Sequence, residues 1–278
     1  MPESRFTFHK IVNDVAWQRQ LRDRHVHEGT PAGVDLSLNK AVIRPISRET
    51  AAQIILKYEW LGTMQSSSLH FGLFFGPYVA GVTCVALRSS GVACPGIGVQ
   101  YGVSQDDVCI LVRGACVHWA PPGANSKLVS WTCKLLAKQK AGKIILAFAD
   151  EDAGEIGTIY QACNWAYIGR SAYNVAFVSP AKRAYNRRMI GERAKQDGVS
   201  FRAVTTALAN NGWTKQAEQT KHKYAFVLDK SDAVLVKRVE ALRLPYPKRV
   251  QCAGSVVGNT PDVQSGDGGS TPTPALHE

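Results

Sequence analysis

The sequence predicts a mixed α/β domain in which a partly antiparallel sheet is flanked by helices. Two apolar segments joined by Gly76–Pro77 are typical of an antiparallel pair of strands, because Gly-Pro favours a turn. From Val108 onward, apolar segments of strand length alternate with amphipathic segments of helix length, as in βα units. With 278 residues, 45% hydrophobic and 20% charged, the chain can bury a sizeable core, which excludes a disordered, collagen-like or mini-protein class.

The first half of the chain supplies the predicted hairpin. Ser47 is a suitable N-cap for a helix whose apolar residues recur at helical spacing. A single charge, Arg113, interrupts the apolar strand that follows the hairpin. The predicted elements are a strand at Ala41–Ile46, a helix at Glu49–Trp60, two strands within Leu69–Leu87 and a strand at Val108–His118.

The second half supplies the βα units. A Pro-Pro-Gly loop opens a helix that Asn125 or Ser126 can cap and that Gly142 stops. The next strand, Lys143–Ala149, ends at Asp150. The remaining predicted elements are a helix at Ile156–Asn164, a strand at Ala172–Val178, a basic helical region at Ala181–Asn211 and a last strand at Tyr224–Leu228.

Composition divides the chain into one domain and a tail. Residues 1–250 are predicted to form a single domain, with an N-terminal arm over residues 1–40 and a basic helical insertion over residues 181–222, before the last strand. Residues 251–278 draw half of their number from Gly, Ser, Thr and Pro, which predicts a disordered tail.

The charge of the chain points to a polyanionic partner. The 33 Lys and Arg residues against 22 Asp and Glu residues give a net charge of +11, and the tail holds three acidic and no basic residues. Such a body favours nucleic acid, although a basic protein without such a partner is the alternative. The densest run is predicted to contact DNA phosphates, with a solvated helical face as the plain interpretation; its cations are Lys182, Arg183, Arg187 and Arg188.

The cysteines predict a reducing cytoplasm. The seven cysteines are scattered without a CxxC pair or a zinc-finger spacing. Leu69–Leu87 contains no Asp, Glu, Lys or Arg and approaches the length of a membrane span, but Gly72, Gly76–Pro77 and Gly81 break it. We therefore expect paired strands there and no membrane partner.

Four features could carry chemistry. Arg113 in a buried strand requires a partner, either a carboxylate such as Asp150 or a ligand phosphate. Asp150 lies where open α/β sheets place their ligand crevices, or is a loop carboxylate. Tyr160 could donate a proton to a leaving group, or is a core aromatic residue. The helix-opening loop could hold phosphate on free backbone N–H groups, or is ordinary capping; its residues are Gly123, Ala124, Asn125, Ser126 and Lys127. The seven histidines show no metal-binding spacing, so any metal site would have to be assembled from distant parts of the chain, and the metal stays unknown at this point.

The run from this loop to GTIYQACNWAYIGR resembles the GNAT acyltransferase superfamily. The resemblance implies a GNAT-like fold, an acyl-CoA whose pyrophosphate binds the loop, and a Tyr on the following helix, here Tyr160 ahead of Ala166–Gly169. The loop has one glycine, fewer than the superfamily pattern. An acyl-CoA-dependent N-acyltransferase acting on a small molecule or a protein is therefore one functional hypothesis.

More specifically, the chain resembles the phage Mom family of DNA-modification proteins between about Ile46 and Lys230. The matching segments are KYEWLG, HFGLFFGPYVAGV, LVRGACVHWAPPGANSKLVSW, ADEDAGEIGTIYQACNWAYIGR and KHKYAFVLDK. The resemblance implies an enzyme that converts adenine in double-stranded DNA to an N-carbamoylmethyl-type derivative, which hides phage DNA from host restriction. The functional residues carried over by position are Tyr58, Tyr78, Arg113, Ser126, Asp150 and Tyr160. Where the family has a His near the end of the first helix, this chain has Lys57.

The donor stays open at this point. The resemblance suggests acetyl-CoA or another activated donor, with iron as one accompanying proposal, whereas glycyl-tRNA would suit the basic surface and would make tRNA a partner. An enzyme acting on adenine in a duplex must extrude the base, and Tyr58, Trp60 or Tyr78 could stack on it. A non-catalytic DNA-binding protein is the remaining hypothesis.

Overall fold

The computed structural model describes residues 17–87, 96–171, 174–181, 184–186, 190–191, 194, 197–218 and 221–248. The described helices are α1 (Trp17–Asp23), α2 (Arg48–Tyr58), α3 (Ala124–Lys138), α4 (Thr158–Ala162), α5 (Phe201–Asn210) and α6 (Ala233–Ala241). The strands are β1 (Val42–Pro45), β2 (Leu69–Phe75), β3 (Tyr78–Ala86), β4 (Val108–Cys116), β5 (Ile144–Ala149), β6 (Ala166–Arg170), β7 (Asn174–Val178), β8 (Ala184–Asn186), β9 (Thr214–Glu218) and β10 (His222–Val227).

Seven strands form the main sheet, in the order β1-β2-β3-β4-β5-β10-β6. Strands β1 to β4 pair antiparallel, β4 and β5 pair parallel, and β10 lies antiparallel between β5 and β6. The mixed, partly antiparallel sheet flanked by helices is thus confirmed. A second sheet has the order β8-β7-β9.

The predicted hairpin is confirmed. Phe75 pairs with Tyr78 across the Gly76–Pro77 turn, and β2 and β3 remain paired from there to Leu69 and Val85. Burial of both strands explains the long run without charges. No helix among the described residues is long and apolar enough to cross a membrane.

The ends of the two long helices follow different rules. Ser47 caps α2 as predicted, because its side chain accepts a hydrogen bond from the Thr50 N–H. The predicted caps of α3 are wrong. Its N-cap is Gly123, which has a left-handed backbone (φ 83°) and provides no side-chain cap, so Asn125 and Ser126 lie in the first turn. The helix ends at Lys138, before Lys140 takes a positive φ of 49°, rather than at Gly142.

Several short elements were not anticipated. Strand β6 follows α4 directly. The predicted basic helical region Ala181–Asn211 is wrong at Ala184–Asn186, which forms strand β8, whereas Phe201–Asn210 within it is helix α5; β9 follows that helix. Residues 182–183, 187–189, 192–193 and 195–196 of the predicted basic helical region, and the whole tail over residues 251–278, lie outside the described residues.

Helix α3 is fixed to the centre of the sheet. The hydroxyls of Thr83 on β3 and Thr132 on α3 are 2.8 Å apart and fully buried. Around them, Val129, Cys133 and Leu136 pack with Phe71 and Val85 and with the inward side chains of β5. This packing places the N-terminus of α3 beside the end of β4, where the predicted site begins.

Candidate active-site crevice

Strands β4 and β5 pair at one end and part at the other. Their parallel pairing covers only Val108–Leu111 with Ile144–Ala147, although β4 continues to Cys116 and β5 to Ala149. The carboxyl ends of parallel strands are where open α/β sheets bind ligands. We call the opening between the unpaired ends of β4 and β5 the crevice.

A β-bulge directs Arg113 within β4. Cys84 pairs with Arg113 and Val85 pairs with Leu111, so the intervening Val112 has no partner on β3. An extra residue in one strand reverses the alternation of faces beyond it. The bulge therefore moves Arg113 off the face on which Leu111 packs against α3.

Arg113 is held by the segment that follows α2. Its Nε donates to the Thr63 carbonyl at 2.9 Å and lies 3.7 Å from Glu59 Oε2, while one Nη donates to the Thr63 hydroxyl at 3.3 Å. The Arg113 and Glu59 side chains are 12% and 7% exposed. The sequence predicted that Arg113 requires a partner, either a carboxylate such as Asp150 or a ligand phosphate; the carboxylate that the structure places beside it is that of Glu59.

Glu59 is a buried carboxylate at the end of α2. Burial raises its pKa, whereas the positive charge of Arg113 and the N–H groups of Gly62 and Leu61 oppose that rise. The Gly62 N–H donates to Oε2 at 3.0 Å. Sequence reasoning missed Glu59, although a carboxylate at a helix C-terminus is electrostatically unfavourable and so signals a local cation.

Asp150 stands at the end of β5, as predicted, and forms an ion pair across the sheet. Its Oδ2 is 2.8 Å from the Nζ of Lys221, which immediately precedes β10. Strand β10 pairs with β5 from His222 opposite Ala149 onward, so the pair closes the end of these two strands. Lys221 was not anticipated, because only the pairing of distant strands brings it there.

Glu155 is the third carboxylate of this region. Burial, and then the negative charge of Glu59, raise its pKa to about 7; Asp150 adds to the rise, while Lys221 and the backbone N–H of Asp150 lower it. None of the described Lys, Arg or His side chains forms an ion pair with Glu155. It therefore differs from Glu59 and Asp150, each of which has a cation.

Tyr160 lies on α4 beside Glu155. Its ring packs against Trp165 and Tyr224, with centroids 5.1 and 5.3 Å away. Burial, and then the charge of Glu155, raise the pKa of its hydroxyl above the usual range. That hydroxyl makes no hydrogen bond to any residue that the structure describes, so it is available to a ligand.

Tyr58 has a different setting from Tyr160. It is 4% exposed, and its hydroxyl lies 3.1 Å from Nδ1 of His118. The Nε2 of His118 faces the Gly29 carbonyl at 2.7 Å and must carry the hydrogen. Nδ1 of the neutral ring is then the acceptor, and Tyr58 donates to it. The N-terminal arm thus covers Tyr58.

The loop that opens α3 also contacts the arm. Lys127 Nζ donates to the Leu38 carbonyl, and a side chain at Gly123 would meet Leu38 Cδ1 at 3.1 Å. Ala124 is buried, and the Ser126 carbonyl accepts from the Cys163 thiol at 3.3 Å. In the first turn, the Asn125 and Ser126 N–H groups have no partner within the helix. These two donors suit a phosphate; Lys127, as placed here, is engaged elsewhere.

The chain matches a protein family over most of its length. The Mom protein family matches residues 40–248, which include Arg113, Asp150 and Tyr160 and both walls of the crevice. The chain belongs to the Mom protein family. No curated protein matches the sequence.

Similar solved structures carry acyltransferase names. An N-acetyltransferase from Staphylococcus aureus Mu50 matches 68% of this Mom chain and 97% of its own, with 9% identity and a TM-score of 0.36. A ribosomal-protein-S5-alanine acetyltransferase from Vibrio fischeri matches 70% and 96%, with 10% identity and a TM-score of 0.38. The N-acyl amino acid synthase FeeM from uncultured soil microbes matches 71% and 96%, with 15% identity and a TM-score of 0.39.

The residues implied by the Mom resemblance do not all meet. Arg113, Asp150 and Tyr160 surround the crevice, whereas Tyr78 is 42% exposed at the hairpin turn. Tyr78 lies six residues along β3 from the partner of Arg113, roughly 20 Å at about 3.3 Å per residue. The predicted DNA contacts Lys182, Arg183, Arg187 and Arg188 lie outside the described residues.

An iron centre requires several donor side chains held close together. Within the described ranges, no group of three or more His, Cys, Asp or Glu side chains could hold a metal ion. Glu59 and Asp150 face cations, and His118 uses both ring nitrogens in hydrogen bonds. The described residues therefore do not fit an iron centre.

Proposed function

We propose that this Mom protein modifies the exocyclic amine of adenine in double-stranded DNA, giving an N-carbamoylmethyl-type derivative that protects phage DNA from restriction in the cytoplasm of a bacterial host. The observation that carries the proposal is the family match over residues 40–248, since that range holds both walls of a polar crevice. The net charge of +11 supports a DNA partner.

Access of the base to the crevice requires extrusion from the duplex, because the target amine is stacked inside it. Tyr78 is exposed, but at roughly 20 Å from the Arg113 end of the crevice it could contact the flanking DNA rather than the extruded base. Tyr58 is covered by the arm, so stacking on Tyr58 would require the arm to move. We therefore assign stacking on the extruded base to neither Tyr78 nor Tyr58 as the structure places them.

The donor would lie along the opening of α3. Its first-turn N–H groups at Asn125 and Ser126 and its dipole favour a phosphate. Acetyl-CoA and a glycyl-tRNA both carry phosphate that this end of α3 could hold, as another activated donor would also have to, but these two are activated at the carbonyl carbon. Ordinary acyl transfer gives an amide, so a carbamoylmethyl product requires a donor with an electrophilic methylene carbon.

The residues of the crevice have distinct roles in this proposal. Arg113, fixed by Glu59 and Thr63, orients the reacting groups. Asp150, held by Lys221, positions the amine. The free hydroxyl of Tyr160 holds the donor or returns a proton to its leaving group, because its raised pKa keeps it protonated.

Restriction digestion tests this function. A plasmid from bacteria that produce the protein is digested with enzymes whose recognition sites contain adenine and with enzymes whose sites lack it. Modification of adenine predicts resistance to some of the first group and full cutting by the second. Complete cutting by both groups, with soluble folded protein present, would contradict the proposal.

An acyl-CoA-dependent N-acyltransferase acting on a small molecule or a protein is the second candidate. The crevice between β4 and β5, beside the N-terminus of α3 that lacks a side-chain cap, favours this candidate. Such a crevice suits an acyl-CoA whether the acceptor is DNA, a protein or a small molecule. Tight binding of coenzyme A together with no affinity for DNA would select it. Salt-sensitive DNA binding with unaltered nucleosides would instead select a non-catalytic DNA-binding protein.

A further inference from the structure

Among the residues that the structure describes, the crevice holds one carboxylate for which no cation partner is present. Glu59 pairs with Arg113 at 3.7 Å and Asp150 pairs with Lys221 at 2.8 Å. Glu155 has no such partner among the described residues. Of the three carboxylates, that of Glu155 is therefore the one whose oxygens form no ion pair with a described cation.

Backbone contacts fix the position of Glu155. Its N–H donates to the Asp150 carbonyl at 3.0 Å, which closes the loop between β5 and α4. The next carbonyl, that of Ile156, accepts from the Tyr224 hydroxyl at 2.5 Å and from Gln161 Nε2 at 2.9 Å. A partly buried carboxylate on so constrained a backbone has a defined position relative to the crevice.

The surroundings of Glu155 suit a group that gains and loses a proton. Its charge interacts with those of Glu59 at the end of α2, Asp150 at the end of β5 and Lys221 at the start of β10, and with the Tyr160 hydroxyl on α4. Burial and two negative neighbours outweigh one positive neighbour, so its pKa is about 7. A general base is most effective when its pKa lies near the working pH.

We propose that Glu155 is a catalytic residue that accepts the proton of the adenine exocyclic amine, a role that rests on the proposed function. The amine nitrogen forms a bond to the electrophilic carbon of the donor. The bond from that carbon to its leaving group breaks, and the electron pair departs with the leaving group. One N–H proton passes to the Glu155 carboxylate, so the step requires no oxidant or reductant.

The test compares pH profiles of DNA modification. Clarified lysate of the producing bacteria supplies the donor, unmodified plasmid is added at pH 5.5 to 8.5, and modified adenosine is quantified by mass spectrometry. Glu155→Gln has nearly the same shape and cannot accept a proton. Glu155→Asp retains a carboxylate on a shorter side chain, and Glu151→Gln is the matched control, because Glu151 lies in the same loop and pairs with Arg170 at 2.5 Å.

We expect the wild-type rate to rise with pH through about 7. Glu155→Gln should lose about 100-fold or more of that rate and the rise with it. Glu155→Asp should retain a rise at reduced rate, and Glu151→Gln should keep the wild-type profile. Circular dichroism confirms that each variant is folded.

Two results would overturn the inference, and they are distinguishable. If wild type modifies adenine and folded Glu155→Gln does so with the same rate and profile, Glu155 is not the base although the proposed function holds. If wild type modifies no adenine at any pH, the proposed function fails, and the role of Glu155 fails with it. If Glu155→Gln does not fold, Glu155→Asp is the deciding variant. A rate and pH profile equal to those of wild type in Glu155→Asp would also overturn the inference.

Discussion

Arg113 on β4 and Glu59 at the end of α2 form a nearly buried ion pair, with Nε and Oε2 3.7 Å apart. The pair joins β4, one wall of the crevice, to the C-terminal end of α2. Arg113 reaches Glu59 because the bulge at Val112 shifts its register against β3. The position of the guanidinium thus depends on a backbone irregularity and on a carboxylate from another element.

Removing Arg113 should destabilise the fold strongly. Arg113→Ala leaves Glu59 buried without its cation, which predicts a loss of roughly 3–5 kcal/mol in the free energy of unfolding. Glu59→Gln/Arg113→Ala should lose less than the sum of the two single variants, because no uncompensated charge remains. Urea denaturation measures both, with exposed Lys138→Ala as the control. Additive losses would contradict coupling between the two residues.

Asp150 should matter more to activity than to stability. Its ion pair with Lys221 is partly exposed, so Asp150→Asn should change the free energy of unfolding by about 1 kcal/mol or less. We expect modification of DNA to fall about 100-fold, and Asp106→Asn, in an exposed loop, to leave it unchanged. Full activity in folded Asp150→Ala and Arg113→Ala variants would show that the crevice is not the site.

The fold was predictable where a local pattern decides the structure. The turn at Gly76–Pro77, the N-cap Ser47 and the apolar segments of β4 and β5 all appear where the sequence indicates them. Strand β9, with the sequence TKQAE, was not predictable, because it has neither β-branched residues at alternating positions nor an apolar face. Its pairing with β7 comes from tertiary structure.

The candidate site was predictable in part for the same reason. Arg113 in an apolar strand indicates that a partner exists, but which carboxylate meets it depends on the bulge and on the end of α2. Glu155 and Lys221 carry no local sign of their role, since Glu155 is one acidic residue in an acidic loop. Only the pairing of β10 with β5 brings Lys221 to Asp150.

Stability should fall as pH rises toward 7, because of Glu155. Its pKa is about 7 in the folded protein against 4.5 as the reference for the unfolded chain. The folded state therefore binds this proton more tightly than the unfolded state does. The resulting contribution to the free energy of unfolding is fully present below pH 4.5 and is lost as pH rises through about 7. We expect a loss of at most about 3 kcal/mol, absent in Glu155→Gln. Parallel pH dependence of unfolding in the two proteins would contradict this.

Gly157 should be required for two separable reasons. Its φ of 72° is left-handed, and a Cβ there would lie 2.3 Å from the buried Tyr224 ring. Gly157→Ala should therefore lower the free energy of unfolding by about 2 kcal/mol or more and reduce activity by displacing α4. Gly33 has the same φ and no atom near its Cβ position, so Gly33→Ala measures the backbone cost alone. Equal losses in both variants would contradict the predicted clash with Tyr224.

Mass spectrometry of nucleosides tests the central claim most directly. DNA is isolated from bacteria that produce the wild-type protein or Asp150→Asn at equal soluble levels, and its nucleosides are analysed. We predict a new adenosine species carrying a carbamoylmethyl-type group with wild type and a strong decrease of that species with Asp150→Asn. Unaltered adenosine with folded wild-type protein, or equal amounts of the new species from both proteins, would contradict the assignment of DNA modification to this crevice.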